Sequence, residues 1–293
     1  MSNRLFIPKV LFFTIIGATL IGYQQLEANE ESSGRLAFGY SDSLELFDVA
    51  TKKIETLYTL TPPRFSFTKL SRLNESRFLF DTWAEQKIFE YNLNTRQATF
   101  VTHGYAPVVV QEHGKYLFMR SSRETGPQMF IADLDGDQKT VHQIAADFGN
   151  NLHDAYPVQV SANEVVFSST ISGTLRPFIY NIQTNSIAQL PIKHSCMPQL
   201  WRSKTKQLLC LDSNRKKNYF VGLDGQKEIE AGIKYGSEVP VIYSEKTDAV
   251  VISRYRSFSL SEITDVWSFE CGTQKRTKLI EKKLIGLGAA VWF

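Results

Sequence analysis

The chain has 293 residues, 43% hydrophobic and 22% charged, which is ordinary globular composition with ample material for a core. Its net charge of +3 is too small to make nucleic acid or an anionic membrane a main partner. Three cysteines leave at least one thiol unpaired within a monomer, and a chain of this size needs no disulfide framework.

The N-terminus stands apart. "MSNRLFIPK" carries Arg4 and Lys9 ahead of an apolar run from Val10 to Tyr23, followed by the polar "QQLEANEESSG". That run falls short of the roughly 20 residues needed to span a bilayer and has the flanks of a secretory signal peptide. Residues 1–28 are therefore expected to be removed, with cleavage after Ala28. The alternative is an uncleaved anchor that recruits Leu5 to Pro8 while Lys9 snorkels. Either reading exports the remainder, to a periplasmic or extracellular location where disulfides are permitted. Cys196 and Cys210 flank a hairpin turn near Ser203 to Thr205. Their spacing is compatible with a bond or with two diagonal thiols.

From residue 35 onward one pattern recurs. "LELFDVATKKIETL", "KIFEYNLNTRQATF", "QMFIADLDGDQKTV", "PFIYNIQTNSIAQL", "NYFVGLDGQKEIEA" and "VWSFECGTQKRTKL" each read as an apolar strand, a turn and a more polar strand. The turns open at Asp48, Asn92, Asp133, Asn181, Gly222 and Glu270, at spacings of 44, 41, 48, 41 and 48. Asp and Asn suit that place because their side chains bond backbone amides two residues on. Upstream of each hairpin is a short apolar run: "RLAF", "RFLF", "KYLF", "EVVF", "QLLC" and "AVVI". Such runs suit strands buried on both faces. Ahead of these lies a fourth element marked by Pro107, Pro157, Pro198 and Pro240, and "TPPRFSF" fills its place in the second repeat.

Four strands per unit, six times over, predict an all-β, six-bladed β-propeller covering residues 35–293. The first repeat has no room for its innermost strand, while "LIGLGAAVWF" is left over after the sixth. The C-terminal "AAVWF" is therefore expected to complete the first blade beside Leu36 to Phe38 and close the ring, removing an exposed edge.

"HDAYPVQVSANEVVFSS" and "YAPVVVQEHGKYLFMRSS" resemble the WD40-like (PD40) repeat of TolB-like six-bladed propellers. "EHGK" keeps that repeat's Gly-Lys. Its outer Thr-Gly is replaced by Thr51-Lys52, Thr95-Arg96, Thr184-Asn185 and Thr273-Gln274. The resemblance implies an exported scaffold that binds proteins or small ligands, and propellers as a class host many activities.

Chemistry-bearing motifs are sparse. His103, His153 and His194 precede innermost strands, but no His-x-x-x-His spacing supports a metal site. "DLDGD" begins like a calcium loop and lacks the later acidic ligand, and no Gly-x-Ser-x-Gly elbow is present. The loops before innermost strands and those between second and third strands should share one face. They carry His153, Asp154, Arg123, Arg176, Arg254 and Arg256. An arginine-bearing rim suits a carboxylate, a phosphate or an acidic peptide. The sequence thus points to a monomeric, non-enzymatic module without cofactor or metal, binding a protein or small anionic ligand through those six residues. Alternatives are a lactonase- or cyclotransferase-type propeller enzyme with a channel metal, and a periplasmic sensor domain held by an N-terminal anchor.

Overall fold

The computed structural model describes residues 34–40, 42–60, 67–134, 141–152, 156–255, 263–281 and 289–293. The N-terminal segment, with its expected cleavage site, lies outside them, as do His153, Asp154 and Arg256.

Strands β1 (Arg35–Tyr40), β2 (Ser43–Asp48) and β3 (Ile54–Thr59) belong to the first blade. The second holds β4 (Leu70–Arg72), β5 (Arg77–Thr82), β6 (Lys87–Asn92) and β7 (Gln97–His103). The third holds β8 (Tyr105–Val110), β9 (Lys115–Ser122), β10 (Gly126–Asp133) and β11 (His142–Ile144). The fourth holds β12 (Val158–Ser161), β13 (Glu164–Ser169), β14 (Arg176–Asn181) and β15 (Ser186–Gln189). The fifth holds β16 (Met197–Arg202), β17 (Gln207–Asp212), β18 (Lys217–Gly222) and β19 (Ile229–Glu230). The sixth holds β20 (Glu238–Ser244), β21 (Ala249–Tyr255), β22 (Ile263–Glu270) and β23 (Arg276–Glu281), and β24 (Ala290–Trp292) ends the series.

These make six four-stranded antiparallel sheets, with β24 pairing to β1 in the first. Leu36 faces Trp292, Ala37 faces Val291 and Phe38 faces Ala290 in that ladder, which is the expected closure. The innermost strands β24, β4, β8, β12, β16 and β20 each touch the next around the ring. The fold is a closed six-bladed β-propeller.

The second strands explain their own apolar runs. Successive side chains of a strand point to opposite faces, so a strand sandwiched between two blades must be apolar at every position. In β1, Leu36 and Phe38 enter the core shared with the sixth blade, while Ala37 enters the core shared with the second. In β9, Leu117 and Met119 face the fourth blade and Tyr116 and Phe118 face the second. Each neighbouring pair of blades shares one such cluster. Outer strands have one solvated face, and β3 and β19 are mostly exposed.

Two expectations need correction. The innermost strand of the second blade is Leu70–Arg72, downstream of "TPPRFSF". Phe67 is buried against Gly39, where even a Cβ would lie 2.6 Å from it. The Thr68 and Lys69 amides donate to the buried Asp81 carboxylate at 2.9 and 3.0 Å, so the ladder begins only at Leu70. The marker prolines do not all lie ahead of their strands: Pro157 directly precedes β12, but the other three sit deeper. Pro107, Pro198 and Pro240 lie inside β8, β16 and β20, each beside a register shift. A residue without N–H fits a bulge, where the ladder is already interrupted.

Candidate functional site: the funnel face

Strand direction sorts the loops onto two faces. Turns between first and second strands, and between third and fourth, lie on one side. Entry segments of the innermost strands and the turns between second and third strands lie on the other, the funnel face.

The corner from the second to the third blade shows how tightly this face is built. Gly104 links β7 to β8 with φ +151°, and a Cβ there would meet the Phe118 ring at 2.5 Å. Ala106 follows with φ 51° and donates its amide to Asp81 at 3.0 Å. Asp81 thus accepts from Thr68 N, Thr68 Oγ1, Lys69 N and Ala106 N, tying β5 to the entries of β4 and β8. Burial pushes its carboxyl pKa up, against the pull of those four donors.

Lys69 extends this network. Its Nζ donates to the carbonyl oxygen of Pro157, just ahead of β12. Lys69 belongs to the second blade and Pro157 to the fourth, with the third between them, so the side chain crosses the mouth of the central channel. Desolvation lowers the Lys69 pKa to about 8, and the attraction of Asp81 offsets only part of that.

Around this mouth, Trp83 stands 48% exposed in the turn after β5 and packs edge-on against Tyr105, with ring centroids 4.6 Å apart. Arg120 is committed to the scaffold. Its Nε donates to His103 O at 2.8 Å, its Nη2 to Thr102 Oγ1 at 3.1 Å, and its guanidinium lies over the Phe118 and Phe130 rings. Arg123 is exposed at the tip of the next turn, where Ser122 Oγ accepts from the Thr125 amide at 3.0 Å.

The other candidate arginines sit elsewhere on this face. Arg176 begins β14 and donates Nη1 to the Ile192 and Lys193 carbonyls, anchoring the connection to the fifth blade. Arg254 ends on β21 with its guanidinium 5.8 Å from the Trp267 ring. Arg123, Arg176 and Arg254 therefore lie on three blades, and no hydrogen bond or ion pair among the described residues joins them. Of the histidines, His103 packs on Phe100 and His194 lies 3.7 Å from Glu228. Among the described residues, no three His, Cys, Asp or Glu side chains cluster as metal ligands would.

Cys196 and Cys210 form a disulfide, which the spacing had left open. Both are fully buried, and the bond staples the entry of β16 to β17 diagonally, since Cys210 lies opposite Pro198. Cys271 is the free thiol, and burial pushes its pKa up to about 11. The opposite face holds a cavity of about 470 Å³ at the ring's seam, lined by Val49, Arg72, Tyr243, Lys246, Trp292 and Phe293 among others.

Lys69 escaped the sequence reading because a single lysine in "FTKL" has no pattern to mark it. Asp81 lies within β5, which runs on to Thr82, and an acidic residue near a strand end has no pattern in sequence to mark it either.

No protein-family model and no curated protein matches this sequence. Solved structures do match its fold. TolB from Acinetobacter baumannii superposes with a TM-score of 0.69 at 15% identity, covering 89% of this chain and 67% of that one. A chain from the nidogen/laminin complex gives 0.65 at 10% identity, over 88% and 98%. A TolB-type protein from Agrobacterium tumefaciens gives 0.65 at 12% identity, over 89% and 98%. At these identities the likeness is one of fold.

Proposed function

We propose that this chain is an exported, non-enzymatic propeller scaffold whose funnel face binds a protein segment or a small anionic ligand. The observation that carries this reading is the exposed Trp83 packed on the half-buried Tyr105, with the exposed Arg123 in the corresponding turn of the next blade, on the face where the innermost strands begin. Exposed aromatics and arginine are the side chains that most often anchor protein interfaces. His153, Asp154 and Arg256 belong to the same proposed rim. Arg176 and Arg254 shape it, with Arg176 also holding backbone in place. Export is supported by the buried Cys196–Cys210 bond, since such bonds persist in oxidising compartments. A protein partner is in keeping with the nidogen/laminin complex, a two-protein assembly that contains a chain of this fold.

The test is site-specific photocrosslinking in cells from Trp83 and Arg123 on one face and from Lys52 on the other. Adducts from the first two positions and none from Lys52 are expected. Adducts from Lys52 alone would move the site to the opposite face. N-terminal sequencing of the same material should begin at Asn29, and a start at Met1 would replace the cleaved leader with the anchor.

A further inference from the structure

The Lys69 ammonium is under-compensated for its position. It carries three N–H donors, and among the described residues the acceptor it reaches is the single Pro157 carbonyl. Asp81, its charged neighbour, already accepts from one hydroxyl and three backbone amides, so its lone pairs are spoken for. A partly buried cation at the mouth of a channel, with two donors that meet no acceptor among the described residues, is a prepared place for an anion.

Building on the funnel-face reading, we propose that Lys69 is the anchoring cation of a carboxylate-binding site at the channel mouth. The nearby negative charge of Asp81 sets the ligand class. With Lys69 and Asp81 of opposite charge, a monoanionic carboxylate leaves the cluster one negative charge in excess and a phosphate dianion two, so the carboxylate is the less repelled ligand. The lowered Lys69 pKa fits this geometry, because a bound carboxylate would restore part of the stabilisation that burial removes. The carboxylate has two possible sources, a free small acid or an acidic side chain of an inserted peptide.

The test follows the Lys69 Nζ signal in ¹⁵N-lysine-labelled protein, assigned by its loss in Lys69→Gln. Acetate is titrated against sodium chloride of equal ionic strength, with inorganic phosphate as the dianion. Acetate should shift the signal saturably and raise its titration midpoint toward the ordinary lysine value, and phosphate should do so more weakly. An end-blocked Gly-Asp-Gly peptide binding about tenfold more tightly than acetate identifies a peptide source, and the reverse order a free acid. Lys69→Arg should retain acetate binding followed by calorimetry, while Lys69→Gln should weaken it about tenfold or more with its melting transition preserved. Absence of a saturable shift with acetate or peptide, or undiminished binding by Lys69→Gln, would overturn the assignment. Crosslinks from Trp83 and Arg123 that survive in Lys69→Gln would then leave the funnel-face reading standing without it.

Discussion

Leu36 in β1 lies directly opposite Trp292 in β24, so the two ends of the propeller share one ladder. Beside Trp292, Val291 is 4% exposed and enters the core between the first and second blades with Ala37, Phe78 and Phe80. Val291→Asp places a carboxylate among these groups with no partner. We expect it to lower unfolding free energy by about 3 kcal/mol or more in urea titration. Glu230→Gln, on the exposed outer strand β19, is the control and should change it by less than about 0.5 kcal/mol. Equal effects would mean that β24 does not hold the ring closed.

The outer turns carry a second prediction. Where the resembled repeat has glycine, Lys52, Arg96, Asn185 and Gln274 occupy the left-handed region, with φ of 58, 57, 52 and 57°. Most L-residues pay about 1 kcal/mol there, part of which glycine gives back as unfolded-chain entropy. Lys52→Gly, Arg96→Gly and Gln274→Gly should each stabilise by roughly 0.5–1 kcal/mol. Arg96→Gly loses the exposed Glu55 ion pair, which is worth little. Asn185→Gly should gain nothing, since Asn tolerates this conformation and its Oδ1 accepts from Tyr180 Oη at 3.0 Å. Calorimetric melting temperatures of the four variants check the ranking.

Much of the architecture was legible because its physics is local. A strand between two blades must be apolar at every position, and the six runs ending at Phe38, Phe80, Phe118, Phe167, Cys210 and Ile252 display that in sequence. "TPPRFSF" misled because Phe67 is as apolar as a strand residue, while the backbone after it is claimed by Asp81, 12 and 13 residues away. The site was less legible for the same reason carried further. Lys69 finds its acceptor 88 residues on, and Arg176 finds carbonyls 16 and 17 residues on. Such long-range bonds leave no periodicity to read.

The disulfide gives a prediction about both compartment and stability. Cys196 and Cys210 are 14 residues apart, and closing a loop of that size removes about 3 kcal/mol of unfolded-chain entropy. The Cys196→Ala, Cys210→Ala double variant should lose about 2–3 kcal/mol. Denatured protein recovered from the exported fraction should titrate one thiol, Cys271, before reduction. Three thiols in freshly blocked material would place the chain in a reducing compartment and remove this support for export.

Lys69 sets a pH dependence whose sign follows from its burial. Its pKa falls from an ordinary 10.5 to about 8 in the folded chain. Below pH 8 both folded and unfolded chains carry the proton, and the folded state bears the full cost of a desolvated ammonium. Between pH 8 and 10.5 the unfolded chain binds more protons, so this group's contribution to stability rises with pH. Above 10.5 both are neutral and the cost is gone. Lys69→Gln keeps an N–H donor for the Pro157 carbonyl and removes the charge. The variant should therefore be the more stable of the two at pH 7, and its lead should shrink by about 2–3 kcal/mol on going to pH 10.5. Urea unfolding of both proteins at the two pH values measures this, with the tyrosines and Cys271 titrating alike in each. A constant gap would show that the Lys69 ammonium is solvated, and its place across the channel mouth would then need another explanation.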